Sequence, residues 1–219
     1  MDGVLDELVR MRSALAALHD STDPGADGGD AARVAAIRAL EEIKSAAAAA
    51  QARVTARFVR SQRAAQAAAG MPADRVGRGL AAQVALARRC SPHQAARHVG
   101  WAMILTSELP ETLAALAAGR TSEWRAMLVA RETAWLSREH RAQVDRDLAG
   151  RLERLGDRAV ESTVKQAAYR LDPHGYVERI RRAVGDRRVT TRPAPEGLVR
   201  FAALVTPAAG HRLPHPPRA

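Results

Sequence analysis

From Ala31 to Ala69 the chain contains neither glycine nor proline. Within that stretch Val34, Ile37, Leu40, Ile43, Ala47, Ala50, Val54 and Phe58 recur every three or four residues, the period of one helix face. Gly70-Met71-Pro72 then stops the pattern, because glycine accepts the left-handed conformation past a helix end and proline cannot continue a helix. The expectation is one long helix over 31–69, with Asp30 placed to cap it. Its apolar stripe thins over Ala46 to Ala50, where methyl groups let another backbone come close.

A helix this long needs partners, and the composition says of what kind. Alanine supplies 48 of the 219 residues, whereas three Trp, two Tyr and two Phe are the only aromatics. A β-sandwich or barrel needs more β-branched and aromatic bulk than that, so an all-β core is excluded. Alanine's helix propensity points to a mainly α fold, a multi-helix bundle with close helix contacts. No run of about 18 apolar residues exists, which excludes a membrane span, and the collagen and mucin patterns are missing too. The single Cys90 excludes a disulfide framework and a cysteine-rich zinc site. The first residues carry Asp2, Asp6 and Glu7 and no basic start, so no signal peptide is read and a cytoplasmic location is expected.

The rest of the chain divides at its punctuation. Val4, Leu5, Leu8, Met11, Leu15 and Leu18 predict an amphipathic N-terminal helix within 1–20, followed by a linker over 21–30. Arg75-Val76-Gly77-Arg78-Gly79 is a basic connector and not a phosphate loop, since it lacks the Gly-Lys-Ser/Thr ending. Helices then follow in quick succession. One runs from Leu80 to Arg89, and Ser91-Pro92 starts the next. Pro110 opens a short helix that Gly119 closes. Thr121-Ser122 caps a helix through Trp124, Leu128 and Trp135. Ser137 caps one leading to Leu155-Gly156, Asp157 begins one ending at Leu171, and Asp172-Pro173 begins the last. From Arg187 to Arg192 the pattern alternates with period two, Pro193 to Gly197 turns, and Leu198 to Val205 is again extended, which predicts a β-hairpin. Residues 206–219, rich in Pro and His, are read as a disordered tail.

The formal net charge is +10, yet 32 of the 34 basic residues are Arg, as codon bias toward GC would produce. Position says more than the total. Residues 1–30 hold seven acids and two bases, whereas 172–219 carry a balance of +5. An acidic head on a basic body is compatible with a nucleic-acid partner. The candidate phosphate contacts are Arg75 and Arg78 of the connector and the cluster Arg179, Arg181, Arg182, Arg187, Arg188 and Arg192.

Other chemistry finds little support. His93 and His98 are five apart, which misses the spacing that puts two ligands on one helix face, and the prolines around His211 and His215 forbid a helix. No metal or cofactor is expected. Cys90 sits beside Arg88 and Arg89 without a nucleophile motif, and it reads as a packed small residue. Glu41-Glu42 and Glu108/Glu111 read as ion-pair and helix-terminus charges, and Arg131-Glu132 and Arg138-Glu139 as surface pairs. Trp101, Trp124 and Trp135 read as core anchors.

Several strings carry a family resemblance. Arg78-Gly79 leads into Gln83-Val84-Ala85-Leu86-Ala87-Arg88, and then come Ser91-Pro92, Glu108 to Leu116 with Gly119, and Ser122-Glu123-Trp124-Arg125-Ala126. Arg131-Glu132-Thr133-Ala134, Leu136-Ser137-Arg138-Glu139, Tyr169 to Pro173, Asp186 to Thr190 and Arg192 to Pro195 continue the series. In this order and spacing, over roughly residues 31–205, they resemble the 13E12-repeat family of actinobacteria. The resemblance implies a domain of unknown function that precedes a C-terminal HNH endonuclease domain. No HNH motif and no Cys-x-x-Cys follow the hairpin here, so no catalytic residue carries over, and a truncated member is expected. The function expected is a non-catalytic accessory domain with DNA as partner. The alternatives are a helical module that associates with itself or another helical protein, and a degenerate fragment without activity. Neither a membrane nor a small-molecule cofactor is implied.

Overall fold

In a computed structural model, residues 2–18 and 29–205 are described. The long helix α2 spans Gly29–Ala68, one or two residues ahead of the expected bounds. Asp30 therefore lies inside its first turn, where its carboxylate pairs with Arg33 at 2.9 Å and opposes the positive helix end instead of capping it. Helix α1, Asp2–Ala17, precedes it. After it come α3 (Leu80–Arg88), α4 (Pro92–Glu108), α5 (Pro110–Ala117), α6 (Glu123–Thr133), α7 (Arg138–Leu148), α8 (Asp157–Leu171) and α9 (Pro173–Gly185). Strands β1 (Arg188–Pro193) and β2 (Val199–Leu204) form an antiparallel hairpin. The fold is mainly α, as expected. The proposed tail over 206–219 lies outside the described residues.

Local chemistry places most boundaries. Ser91 caps α4 in a full capping box with Gln94, and Ser122 and Ser137 cap α6 and α7 by accepting from Arg125 and His140 backbone N–H groups. Asp172 accepts from the Gly175 N–H at 2.8 Å to start α9. Two helices end earlier than their apolar pattern. α6 stops at Thr133, so Trp135 falls in a turn. α7 stops at Leu148, and a single 3-10 turn, Leu152–Arg154, fills the way to Gly156.

The core forms where alanine thins α2. Ser45, Ala49, Ala56 and Val59 are buried there, and α4 and α5 pack on that face. Leu105, Leu109, Leu116, Val129, Val144, Leu148, Val160 and Val164 complete the same cluster from α4 to α8. Gly119, at φ +72°, shows how close the approach is: a Cβ there would stand 2.7 Å from the Glu42 Cβ of α2. A smaller cluster of Val84, Ala85 and Ala95, backed by Phe58, joins α3 to α4.

Buried polar groups tie the helix ends together. The Arg141 guanidinium donates to the Thr133, Ala134 and Leu136 carbonyls at 3.2, 3.0 and 3.3 Å, and it also pairs with Glu108. One side chain thus satisfies the orphan carbonyls at the end of α6 and anchors the end of α4. Glu108 also pairs with Arg138 at 3.4 Å. Arg138 reaches across to α4 for its partner, not to its neighbour Glu139. Glu132 likewise departs from expectation. It is 3% exposed, on a helix packed against α8, and is held by Arg131 at 2.7 Å and by Arg179 of α9 at 3.8 Å. Trp101 and Trp135 do pack against the core, but Trp124 is 48% exposed, with the Arg131 guanidinium 5.9 Å from its ring.

Candidate nucleic-acid interface

Arg53, Arg57 and Arg60 follow one another on α2 at steps of four and three, which stacks them on one helix face. They line an open cleft of about 510 Å³ whose other walls are Thr106 of α4 and Leu113 of α5. All three are exposed. The Arg60 Nε donates to the Ala56 carbonyl at 3.1 Å, which lays its side chain along the helix. No Asp or Glu pairs with any of them among the described residues. The reason lies in the sequence: no acidic residue occurs from Ile43 to Ala73, while Lys44, Arg53, Arg57, Arg60 and Arg63 do. Guanidinium groups without a carboxylate partner are the side chains best shaped for phosphate.

Two of the sequence-predicted arginines continue this ridge. The connector folds back on the end of α2 because Gln66 holds it twice, accepting from the Gly77 N–H at 2.6 Å and donating to the Arg78 carbonyl at 3.3 Å. Gly77 sits at φ +96°, and a Cβ there would stand 3.2 Å from the Arg63 Nε. The guanidinium of Arg63 therefore lies against the connector that carries Arg75 and Arg78, both exposed. The basic band so runs from Arg53 down the helix and into the turn.

The second predicted cluster is divided in its employment. Arg179 is drawn to the buried Glu132 and anchors α9. Arg181 pairs with Glu178 at 2.7 Å, and the Arg187 Nε donates to the Val184 carbonyl at 2.8 Å. Arg182, Arg188 and Arg192 are exposed and have no acidic partner among the described residues. In the hairpin register Arg192 stands opposite Arg200, a like-charge pair that destabilises an isolated ladder and that an anion would relieve. Among the described residues no hydrogen bond or ion pair joins this cluster to the α2 band.

No group of three or more His, Cys, Asp or Glu side chains placed to hold a metal ion occurs among the described residues. His98 has its Nδ1 3.9 Å from Glu123 and its ring edge-on to Trp101. Burial, then the neighbouring Arg88, push its pKa down, and Glu123 opposes them. Cys90 is half-buried and packs beside Val84, Ala85 and Ala95. No helix among the described residues is long and apolar enough to cross a membrane.

Sequence reasoning singled out Arg75 and Arg78 through their glycines and passed over Arg53, Arg57, Arg60, Arg63 and Arg200, which the structure sets beside them or in the hairpin. The acid-free run from 43 to 73 is the signal that finds the first four. Arg200 needs the strand register.

The family described as a domain of unknown function (DUF222) matches residues 14–215. No curated protein and no solved structure gives a significant match.

Proposed function

The chain belongs to the DUF222 family, a family of unknown function, and on that premise we propose that it is a non-catalytic module that binds nucleic-acid phosphates. One observation carries this reading. Arg53, Arg57, Arg60 and Arg63 form a ridge without carboxylate partners among the described residues, and the connector arginines Arg75 and Arg78 extend it. Paired arginines would make a solvated, self-neutralised surface. A row of unpaired ones concentrates positive potential along a helix, in a chain of net charge +10. Such contacts set position along a duplex or single strand and do not read bases. Arg182, Arg188, Arg192 and Arg200 form a second contact set on α9 and the hairpin.

The likeness to 13E12-repeat proteins extends the proposal. By that likeness, the module positions nucleic acid for HNH-type cleavage. The variant Arg53→Gln/Arg57→Gln/Arg60→Gln tests the ridge by fluorescence anisotropy with labelled duplex DNA. Loss of three phosphate contacts should make the salt dependence shallower by about 0.9 per contact. A variant that binds like the parent chain would remove the ridge from the interface.

A further inference from the structure

The hairpin stands open on both faces. Every residue of β1 and β2 is exposed except Thr190, which is half-buried. Among the described residues the sheet has no third strand, so the outer edge of each strand presents backbone N–H groups without a ladder partner.

The register sorts the side chains. Arg192 stands opposite Arg200, Thr190 opposite Ala202 and Arg188 opposite Leu204, and alternate positions along a strand share a face. Arg188, Thr190, Arg192 and Arg200 therefore stand on one face, while Val189, Val199 and Phe201 stand on the other. Arg188 and Arg192 are roughly 14 Å apart along their strand, and the Cβ atoms of Arg192 and Arg200 are about 5 Å apart across the ladder. Neither strand contains an acid, and Glu196, in the turn, is the one carboxylate between Arg187 and Val205. The ion pairs nearby in sequence are Arg179–Glu132 and Arg181–Glu178, which leaves Arg188, Arg192 and Arg200 without a carboxylate partner among the described residues.

We propose that this basic face enters the major groove of a DNA duplex and reads guanine, with Arg192 and Arg200 donating to O6 and N7 at the base edge. This rests on the phosphate-binding reading above and adds base readout to it. Shape selects the groove. A two-stranded ribbon fits a groove about 12 Å wide and not the minor groove of about 6 Å, and the deep, narrow major groove of duplex RNA cannot be read by side chains. Laid face-down, the ribbon turns its guanidinium groups to the base edges and its free N–H edges to the flanking phosphates. Guanine offers two acceptors side by side, which match the planar fork of arginine. The register also holds the like charges of Arg192 and Arg200 together, a cost to the free hairpin that acceptors placed between them remove. The apolar face has no such complement in the groove and turns outward.

Selection by the full chain from a random duplex DNA library, followed by anisotropy at about 100 mM salt, tests this. Enriched duplexes should share guanines and bind at least about tenfold more tightly than an unrelated duplex of equal length. Duplex RNA of the enriched sequence should bind no better than the unrelated DNA, and RNA that matches the enriched DNA overturns the groove assignment. The variant Arg192→Ala/Arg200→Ala changes exposed side chains and relieves a like-charge pair, so it should keep the parent circular dichroism. Its preference should fall to about twofold or less, because lost base contacts weaken the enriched duplex far more than the unrelated one. A variant that keeps the preference, whatever its overall affinity, overturns base reading by these arginines. A library that yields no shared sequence while DNA is still bound overturns it as well and leaves the phosphate reading standing, whereas no binding at low salt overturns both. If the variant misfolds, 7-deazaguanine in the enriched duplex decides with the parent chain: removing the N7 acceptor should weaken binding severalfold, and unchanged affinity refutes the readout.

Discussion

Asp145 of α7 closes the N-terminus of α5 through Thr112: its Oδ1 accepts from the Thr112 N–H at 3.0 Å and from the Thr112 hydroxyl at 2.6 Å. Its Oδ2 accepts from the Glu111 N–H at 2.7 Å. The residue at the cap position, Leu109, has no side chain able to do this, so a carboxylate more than thirty residues away supplies the cap. Asp145→Ala would leave two backbone donors and a hydroxyl without partners in the core. We expect a loss of about 2–3 kcal/mol in urea unfolding, from a missing cap together with unsatisfied buried groups.

The same carboxylate gives a pH signature. Burial pushes the Asp145 pKa up, and the hydrogen bonds from the Thr112 side chain and the Glu111 and Thr112 backbones oppose that only in part. The folded chain then keeps a proton that the unfolded chain has released. Its contribution to stability is fully present below the ordinary value of 3.8 and is lost as pH rises through the higher native value. The stability difference between the parent chain and Asp145→Asn, measured by urea titration, should therefore shift against the parent as pH rises from about 4. A difference that is flat with pH would contradict the assignment.

Arg141 is the second joint. It is 7% exposed, donates to three carbonyls past the end of α6 and pairs with Glu108. Arg141→Met leaves Glu108 without its buried partner, and we expect a loss of about 3 kcal/mol in denaturant unfolding. Arg141→Lys should recover only part of this, because an ammonium cannot reproduce the planar fork.

Gly77 links fold to function. Gly77→Ala forces a Cβ to 3.2 Å from the Arg63 Nε at a positive φ, a backbone cost of about 1–2 kcal/mol. The connector should loosen and carry Arg75 and Arg78 away from the ridge. The expected result is weaker DNA binding with little change in the melting of the distant α6–α8 core, read by anisotropy and circular dichroism.

Elements whose beginnings are written in local chemistry were legible in the sequence. Ser91, Ser122, Ser137 and Asp172 start their helices where expected, since a cap is a contact within three residues. The long helix and the hairpin were legible for the same reason, as periodicity is local. Features that depend on what lies across the bundle were not. Nothing near Glu132 announces that Arg179 of α9 will reach it, and nothing near Asp145 points to Thr112. The ridge at Arg53, Arg57 and Arg60 was visible only as part of a helix read for its apolar stripe. Its meaning comes from the missing acids around it and from the cleft that α4 and α5 complete.

The most direct measurement is the affinity of the whole chain for a labelled DNA duplex, by anisotropy, between about 50 and 200 mM salt. A linear fall of log K with log salt is expected, with a slope of about −0.9 for each phosphate held and a loss on the order of a hundredfold or more if several arginines of the band are engaged. Binding that ignores salt, or none at the lowest salt, would contradict it.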